Sequence, residues 1–177
     1  MHKHSGKNAA GSTIAEVPAV LFILFVLFMV PFIDLATVGL RSTFLFAATH
    51  FATIEAARAK TFQTSVTPQQ PSAMALASQQ ANLTAASFTG VQVSQITTSI
   101  LITDVNTLQQ TRVSTPLAQA PDSTSNTYQI EVKINGVVKP LLEYNCGLFG
   151  NIPGFTAPVP LTFVDRQFCE NPQGLTM

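Results

Sequence analysis

The chain has 177 residues, which is enough for one folded domain with an additional segment and too few for two separately cored domains. Apolar residues make up 46% of it and charged residues only 10%, well below the roughly 25% of charged residues in an ordinary soluble domain. Nine Lys and Arg balance nine Asp and Glu, so no basic field exists to hold nucleic acid, and we expect no nucleic-acid partner.

The first eleven residues form a basic leader, with two lysines, two histidines and no acidic residue. Basic segments beside a membrane helix stay on the cytoplasmic side of the membrane. If the segment that follows crosses a membrane, the N-terminus is therefore cytoplasmic. Everything after the helix then lies in the periplasm or outside the cell.

Residues 17–33 contain no charged or hydrogen-bonding side chain. A helix of a soluble protein would have a polar face, whereas this segment is apolar all round. Together with residues 35–40 it exceeds the roughly 20 residues needed to cross ~30 Å of hydrocarbon. The pattern predicts a helix that spans a bilayer or packs inside an equally apolar helical assembly.

The helical composition continues to residue 62, because the chain stays rich in alanine and free of proline there. Ala48, Ala52 and Ala56 recur every four residues, and small residues in such a row let another helix approach closely. The row is predicted to pack either on the chain's own C-terminal domain or on other subunits. Residues 12–62 are thus predicted to form one transmembrane and extended N-terminal helix.

Glu16 stands at the start of the apolar run, with no other charge between residues 8 and 33. In one interpretation it closes a capping box with Thr13 and faces the positive end of the helix dipole. In the other, the chain is cut after Gly11, so that Ser12 becomes the new N-terminus and Glu16 its fifth residue. The two interpretations do not exclude each other.

Residues 11–16, with a basic leader before them and an apolar helix directly after, resemble a prepilin processing site. Beyond the apolar run, Asp34 is followed by an alanine-rich stretch that ends in Glu-Ala-Ala-Arg at residues 55–58. This order is similar to the TadE-like proteins of the tight-adherence (Flp/Tad) pilus system. The resemblance covers about the first 60 residues.

The resemblance implies a minor pilin or pseudopilin that a prepilin peptidase cuts between Gly11 and Ser12. It also implies that Glu16 pairs with the free amine of a neighbouring subunit during assembly. An unpaired carboxylate in hydrocarbon is costly, so this pairing would fix the register between subunits. The expected partners are the lipid bilayer, other pilin-like or secretion-apparatus subunits, and the peptidase.

Residues 63–86 are predicted to form a linker and a short helix. Residues 63–70 are polar and contain a proline, as is typical of linkers. Residues 72–86 fit a short amphipathic helix, and its predicted buried positions are Met74, Ala77 and Leu83.

Residues 87–177 are predicted to form a β-rich exported domain. Apolar and polar residues alternate over residues 96–102 and 128–135, and a further strand is expected from residue 161 toward Cys169. Asn135-Gly136 is a hairpin dipeptide, which predicts a turn into a return strand. The predicted fold class is α+β, in which a long N-terminal transmembrane helix continues outside the membrane and is followed by a small antiparallel β-rich domain.

The exported part offers little chemistry. Cys146 and Cys169 have no Cys-x-x-Cys spacing and no histidine after His50, which is too few ligands for zinc. In an oxidising compartment they would form a disulfide, and the alternative is two buried thiols. A Ser or Cys nucleophile would lack its histidine base.

We therefore expect a non-catalytic protein with no metal site and no cofactor. The alternative to a pilin is an uncleaved single-pass envelope protein whose exported domain is a binding or scaffolding module.

Overall fold

The structure, a computed structural model, describes residues 10–142 and 152–177, with side chains from residue 17 onward. Its elements are α1 (Ala10–Ala57), α2 (Ala73–Ala86), β1 (Val91–Asp104), β2 (Gln110–Val113), β3 (Asn126–Val138), β4 (Val159–Phe168) and a short 3-10 helix (Pro172–Thr176). The predicted α+β class, with a long apolar N-terminal helix followed by a small antiparallel sheet, is confirmed.

Helix α1 is one continuous element of 48 residues, which corresponds to about 72 Å at 1.5 Å per residue. It has two parts with opposite surroundings. Residues 17–33, called the free half below, are almost entirely exposed. Residues 34–57, called the embedded half, have one side buried against the rest of the chain, beginning at Asp34.

The four strands form one antiparallel sheet in the order β2-β1-β3-β4. The apolar residues of the central strand β3 alternate with polar ones, and Ile130, Val132 and Ile134 are fully buried on the face toward the helices. The embedded half of α1 packs across β3 and β4, while α2 packs beside α1 and over β1. The core therefore lies between one helical layer and one face of the sheet.

The predicted hairpin at Asn135-Gly136 is wrong, because β3 runs through both residues to Val138. Gly136 pairs with Val93 on one side and Leu161 on the other. A Cβ atom on Gly136 would lie 2.7 Å from Leu45 Cδ2 and 2.8 Å from the Gln92 carbonyl oxygen. Glycine thus allows α1 to approach the sheet closely and makes no turn here.

The predicted short helix is present as α2, and Ser72 caps it by accepting the Ala75 N–H at 3.4 Å. The prediction that Leu83 is buried is wrong, since its side chain is 57% exposed. Small residues at a spacing of four form the buried face instead, because they allow the helices to approach closely. The buried alanines of α2 are Ala73, Ala77, Ala81 and Ala85.

The alanine row of α1 is buried inside the chain's own domain. Ala48 and Ala52 have no exposed surface and Ala56 almost none. Of the two alternatives left open by the sequence, packing on the C-terminal domain is the one observed. The alanine face of the embedded half is therefore already covered, whereas the domain covers no face of residues 17–29 in the free half.

Candidate membrane and assembly surface

The free half of α1 presents an unbroken apolar surface. Every residue from 17 to 29 is exposed, and the large side chains among them show between 40% and 69% of their surface. Apolar patches beyond a few hundred Å² on a folded protein mark contacts with proteins or membranes. Within the described part of the chain, α1 is the one helix long and apolar enough to cross a membrane by length and composition.

The structure places Gly11 and Ser12 in the first turn of α1 and Glu16 in the second. Because the helix begins at Ala10, Thr13 lies inside it, and the capping-box interpretation of Thr13 and Glu16 does not fit the described helix. The side chains of residues 10–16 are not described. Cleavage after Gly11 and pairing through Glu16 remain predictions.

Of the two cysteines, only Cys169 lies within the described residues, and Cys146 falls outside them. Cys169 is half-buried just after β4, and its N–H donates to the Tyr128 carbonyl oxygen at 3.0 Å. Burial, together with the nearby charge of Glu170, raises the pKa of the Cys169 thiol above its ordinary value. The disulfide between the two cysteines stays a prediction.

At the boundary between the two halves of α1, the helix is fastened to residues 139–142, called the junction segment below. Asp34 is only 1% exposed, and its Oδ1 accepts the Leu142 N–H at 2.9 Å. Its Oδ2 is buried and has no hydrogen-bond partner among the described residues. This contact joins residues 108 positions apart, and no local pattern in the sequence indicated it.

Two turns further along, Arg41 makes a second connection to the same segment. Its guanidinium donates to the Lys139 carbonyl oxygen at 2.6 Å and to the Pro140 carbonyl oxygen at 2.9 Å. The guanidinium also lies against Gly90, where a Cβ atom would be 2.5 Å from Arg41 Cζ. Gly90 has a φ of +80°, so both its conformation and its surroundings favour glycine. The junction segment is thus fixed to α1 at two levels.

The two most exposed residues of the junction segment are apolar. Leu141 is 51% exposed and Leu142 45%, although the backbone of Leu142 is bonded directly to Asp34. On α1 itself, Leu35 and Leu40 are also exposed at this level. Exposed leucines therefore surround the place where the free half enters the domain.

The opposite face of the sheet carries an ion-pair cluster that the sequence did not reveal. Arg112 Nε lies 2.7 Å from Glu131 Oε1, and Arg166 Nε lies 2.8 Å from Glu131 Oε2. Burial of the carboxyl opposes its ionisation, but hydrogen bonds and charges from Arg112 and Arg166 outweigh burial and lower the pKa of Glu131. The cluster ties β2 and β4 to the central strand, and this role is structural.

His50 of the embedded half also pairs with the sheet, since its Nδ1 lies 2.8 Å from Asp165 Oδ2 of β4. The His50 ring stacks on Phe46, whose ring meets Phe163 edge-on. These contacts bind α1 to the edge strand. The His50 side chain is partly exposed and packs against these aromatic rings.

Comparisons with protein-family models, with curated proteins and with solved structures give no match to this chain. Its function is therefore inferred from the order of its sequence features and from the surface of α1.

Proposed function

We propose that the chain is a single-pass membrane protein of the TadE-like minor pilin or pseudopilin kind. It would act without catalysis, by assembling through its N-terminal helix in a pilus or secretion apparatus. The observation that carries this proposal is the exposure of the free half of α1, where a wholly apolar helix projects from a domain that does not cover it.

Two other kinds of apolar helix fit less well. A core helix of a soluble protein would be covered by its own fold, and the free half is exposed along its length. A secretory signal peptide has a short apolar core followed by a small-residue cleavage site. Here the helix runs without a break from the apolar segment into the buried part of the domain at Leu45.

The charges around the helix support an orientation. The leader of residues 1–11 is basic, which favours a cytoplasmic N-terminus and an exported domain. An alkaline phosphatase fused to the C-terminus would then be active, because that enzyme needs an oxidising compartment for its disulfides. An inactive fusion present at a normal level would contradict the proposed orientation.

Assembly through α1 would use the free half, since the alanine face of the embedded half is occupied. The alanine row at residues 48, 52 and 56 is buried against the chain's own domain. Helices associate within a membrane by close packing and by polar contacts, and Glu16 at the start of the apolar run is a residue that would need a partner there. Pairing of Glu16 with the amine of a cleaved neighbour would meet that need.

Intact-mass measurement of the protein extracted from its native membrane tests the processing step. We expect a chain that begins at Ser12. A Gly11→Val variant should retain Met1 because the peptidase requires a small residue before the cut, whereas the control Gly6→Val, within the same leader, should still be processed. Co-purification with a filament or a secretion ATPase after mild detergent extraction would support the assembly role.

A native chain that begins at Met1 would instead favour the alternative function. In that case the protein is an uncleaved single-pass envelope protein, and its exported domain is a binding or scaffolding module. The position after Glu16 bears on this choice, because the pilin pattern usually has Phe or Tyr there and this chain has Val17.

A further inference from the structure

We infer that Leu141 and Leu142 of the junction segment enter the outer edge of the same bilayer that α1 crosses, so that the exported domain rests on the membrane surface. This inference depends on the proposed membrane span. It adds a second contact with lipid, made by a part of the chain more than a hundred residues after Asp34.

The length of the free half is the first observation. Residues 17–33 are 17 residues, which measure about 25 Å along a helix, whereas the hydrocarbon layer is about 30 Å thick. If the charge of Glu16 marks the inner edge, the hydrocarbon extends about 5 Å beyond residue 33. The outer edge then falls about three residues further along α1, past Asp34.

The contact of Asp34 places the junction segment at that depth. Its carboxylate accepts the Leu142 N–H at 2.9 Å, so the Leu142 backbone lies level with the edge of the hydrocarbon. A carboxylate there is costly unless the protein covers it, and Asp34 is buried by the protein, with Oδ1 hydrogen-bonded and Oδ2 without a partner among the described residues. Lipid at this depth would therefore contact the exposed side chains of Leu141 and Leu142, and the buried Asp34 would not contact lipid.

The exposed residues of α1 change from apolar to polar beyond the free half. Leu35 and Leu40 are exposed, and the partly exposed Thr37 between them donates its hydroxyl to the Ile33 carbonyl oxygen at 2.8 Å. Thr43 is the first strongly exposed polar residue after the free half.

Arg41 bonds the Lys139 carbonyl oxygen, so these two cationic residues lie at the same level. A lysine side chain there is long enough to reach from the edge of the hydrocarbon to lipid phosphates. Leucines nearer the proposed span, with cationic residues farther from it, are the arrangement expected of a protein surface in the interfacial layer of a membrane.

An exposed apolar residue at the far end of the sheet lies too far from the span to share this role. Phe168 is 63% exposed at the end of β4. Two residues later, the Glu170 N–H donates to the carbonyl oxygen of Ala57, the last residue of α1. Since 23 residues of helix separate Asp34 from Ala57, Phe168 lies roughly 35 Å from the membrane edge.

Tryptophan fluorescence tests the inference, because the chain has no tryptophan of its own. Three variants of the full-length protein would each carry one: Leu142→Trp in the junction segment, Phe168→Trp as an equally apolar exposed control, and Phe25→Trp within the proposed span. Each would be reconstituted in phosphatidylcholine vesicles and in two kinds of brominated vesicles, with bromine on the acyl chains either near the ester end, at the proposed depth of Leu142, or near the terminal methyl, at the proposed depth of Phe25. Bromine quenches only a tryptophan that lies next to lipid.

We expect several-fold quenching of Leu142→Trp by the brominated lipid and none of Phe168→Trp. If Leu142→Trp resembles Phe168→Trp while Phe25→Trp is quenched, the inference is overturned and the membrane span stands. If Phe25→Trp is also unquenched, the proposed span fails as well. Should Leu142→Trp lose the circular dichroism of the folded domain, Leu141→Trp gives the same readings at the neighbouring residue.

Discussion

The two halves of α1 are one helix in two different environments. The free half is built from large apolar residues on all sides and is exposed, whereas the embedded half alternates large residues with alanine and threonine. Thr49 and Thr53 are fully buried, and their hydroxyls donate to the carbonyl oxygens of Leu45 and Thr49, at 3.0 and 2.7 Å. Such back-bonding satisfies a buried hydroxyl without any outside partner.

The comparison shows that apolar character alone does not decide where a helix packs. Small residues in rows of four allow the embedded half to lie closely against α2 and the sheet. Large residues all round leave the free half no preferred face for its own domain, and the domain leaves it uncovered.

The same substitution should destabilise the domain in the embedded half and leave its stability unchanged in the free half. Leu45→Ala removes a fully buried side chain and should lower the free energy of unfolding of the domain by about 2–5 kcal/mol. Leu24→Ala, in the free half, should leave that free energy unchanged. Urea unfolding of the detergent-solubilised protein, followed by circular dichroism, measures both. Equal losses would mean that the free half belongs to the domain core.

A charge should affect the free half through insertion in the membrane. Val26 lies at the middle of the proposed span, where an arginine costs about 2.5–3.5 kcal/mol of insertion free energy. Val26→Arg should therefore reduce the fraction of chains that resist extraction from membranes by carbonate. Thr43→Arg, on an exposed part of α1 beyond the span, is the matched control and should insert normally. Unchanged insertion of Val26→Arg would argue against a bilayer around the free half.

Two glycines differ in how closely other atoms surround them: Gly136 lies against the embedded half of α1, and Gly39 faces open space. Gly136→Ala would force a Cβ atom against Leu45 and the Gln92 carbonyl oxygen, and should cost about 1–3 kcal/mol of unfolding free energy. Gly39→Ala meets nothing within 4 Å and should instead stabilise α1 by about 0.5–1 kcal/mol. Thermal unfolding of both variants tests the opposite signs. A harmless Gly136→Ala would mean that α1 is not pressed against β3.

A smaller effect is expected on the face of the sheet opposite the helices, where the buried carboxylate of Glu131 pairs with two arginines. Arg112 and Arg166 are about half exposed, so solvent screens each pair with Glu131 and the contribution of each pair to stability should be small. Because the pKa of Glu131 is lowered in the folded state, this stabilisation is present above the ordinary carboxyl pKa. It is lost as the pH falls through the lower folded value.

Glu131→Gln should therefore destabilise the domain at neutral pH and should remove part of the loss of stability in acid. Urea midpoints measured between about pH 7 and pH 3 test this expectation. Lys133→Gln, an exposed residue on the same face of β3, serves as the control and should change stability by less than about 0.5 kcal/mol. An acid loss identical in Glu131→Gln and the unaltered chain would contradict the role of the cluster.

The sequence by itself determined the α+β class, the long apolar helix and the approximate positions of α2, β1, β3 and β4. These features follow from patterns within a few residues, namely helical composition, unbroken apolar runs and alternation with a period of two. The same local reasoning failed at Asn135-Gly136, where the hairpin dipeptide lies inside a strand. It failed also at Leu83, which is larger than the alanines that form the buried face of α2.

Only the tertiary structure decided which part of α1 the domain covers and what lies at the boundary. The contact between Asp34 and Leu142 joins residues 108 positions apart, and Glu131 meets its two arginines only when three other strands are in register. Gly136 is explained by the approach of Leu45, a residue of another element. Such contacts depend on how elements pack across the whole chain, and no pattern of neighbouring residues contains that information.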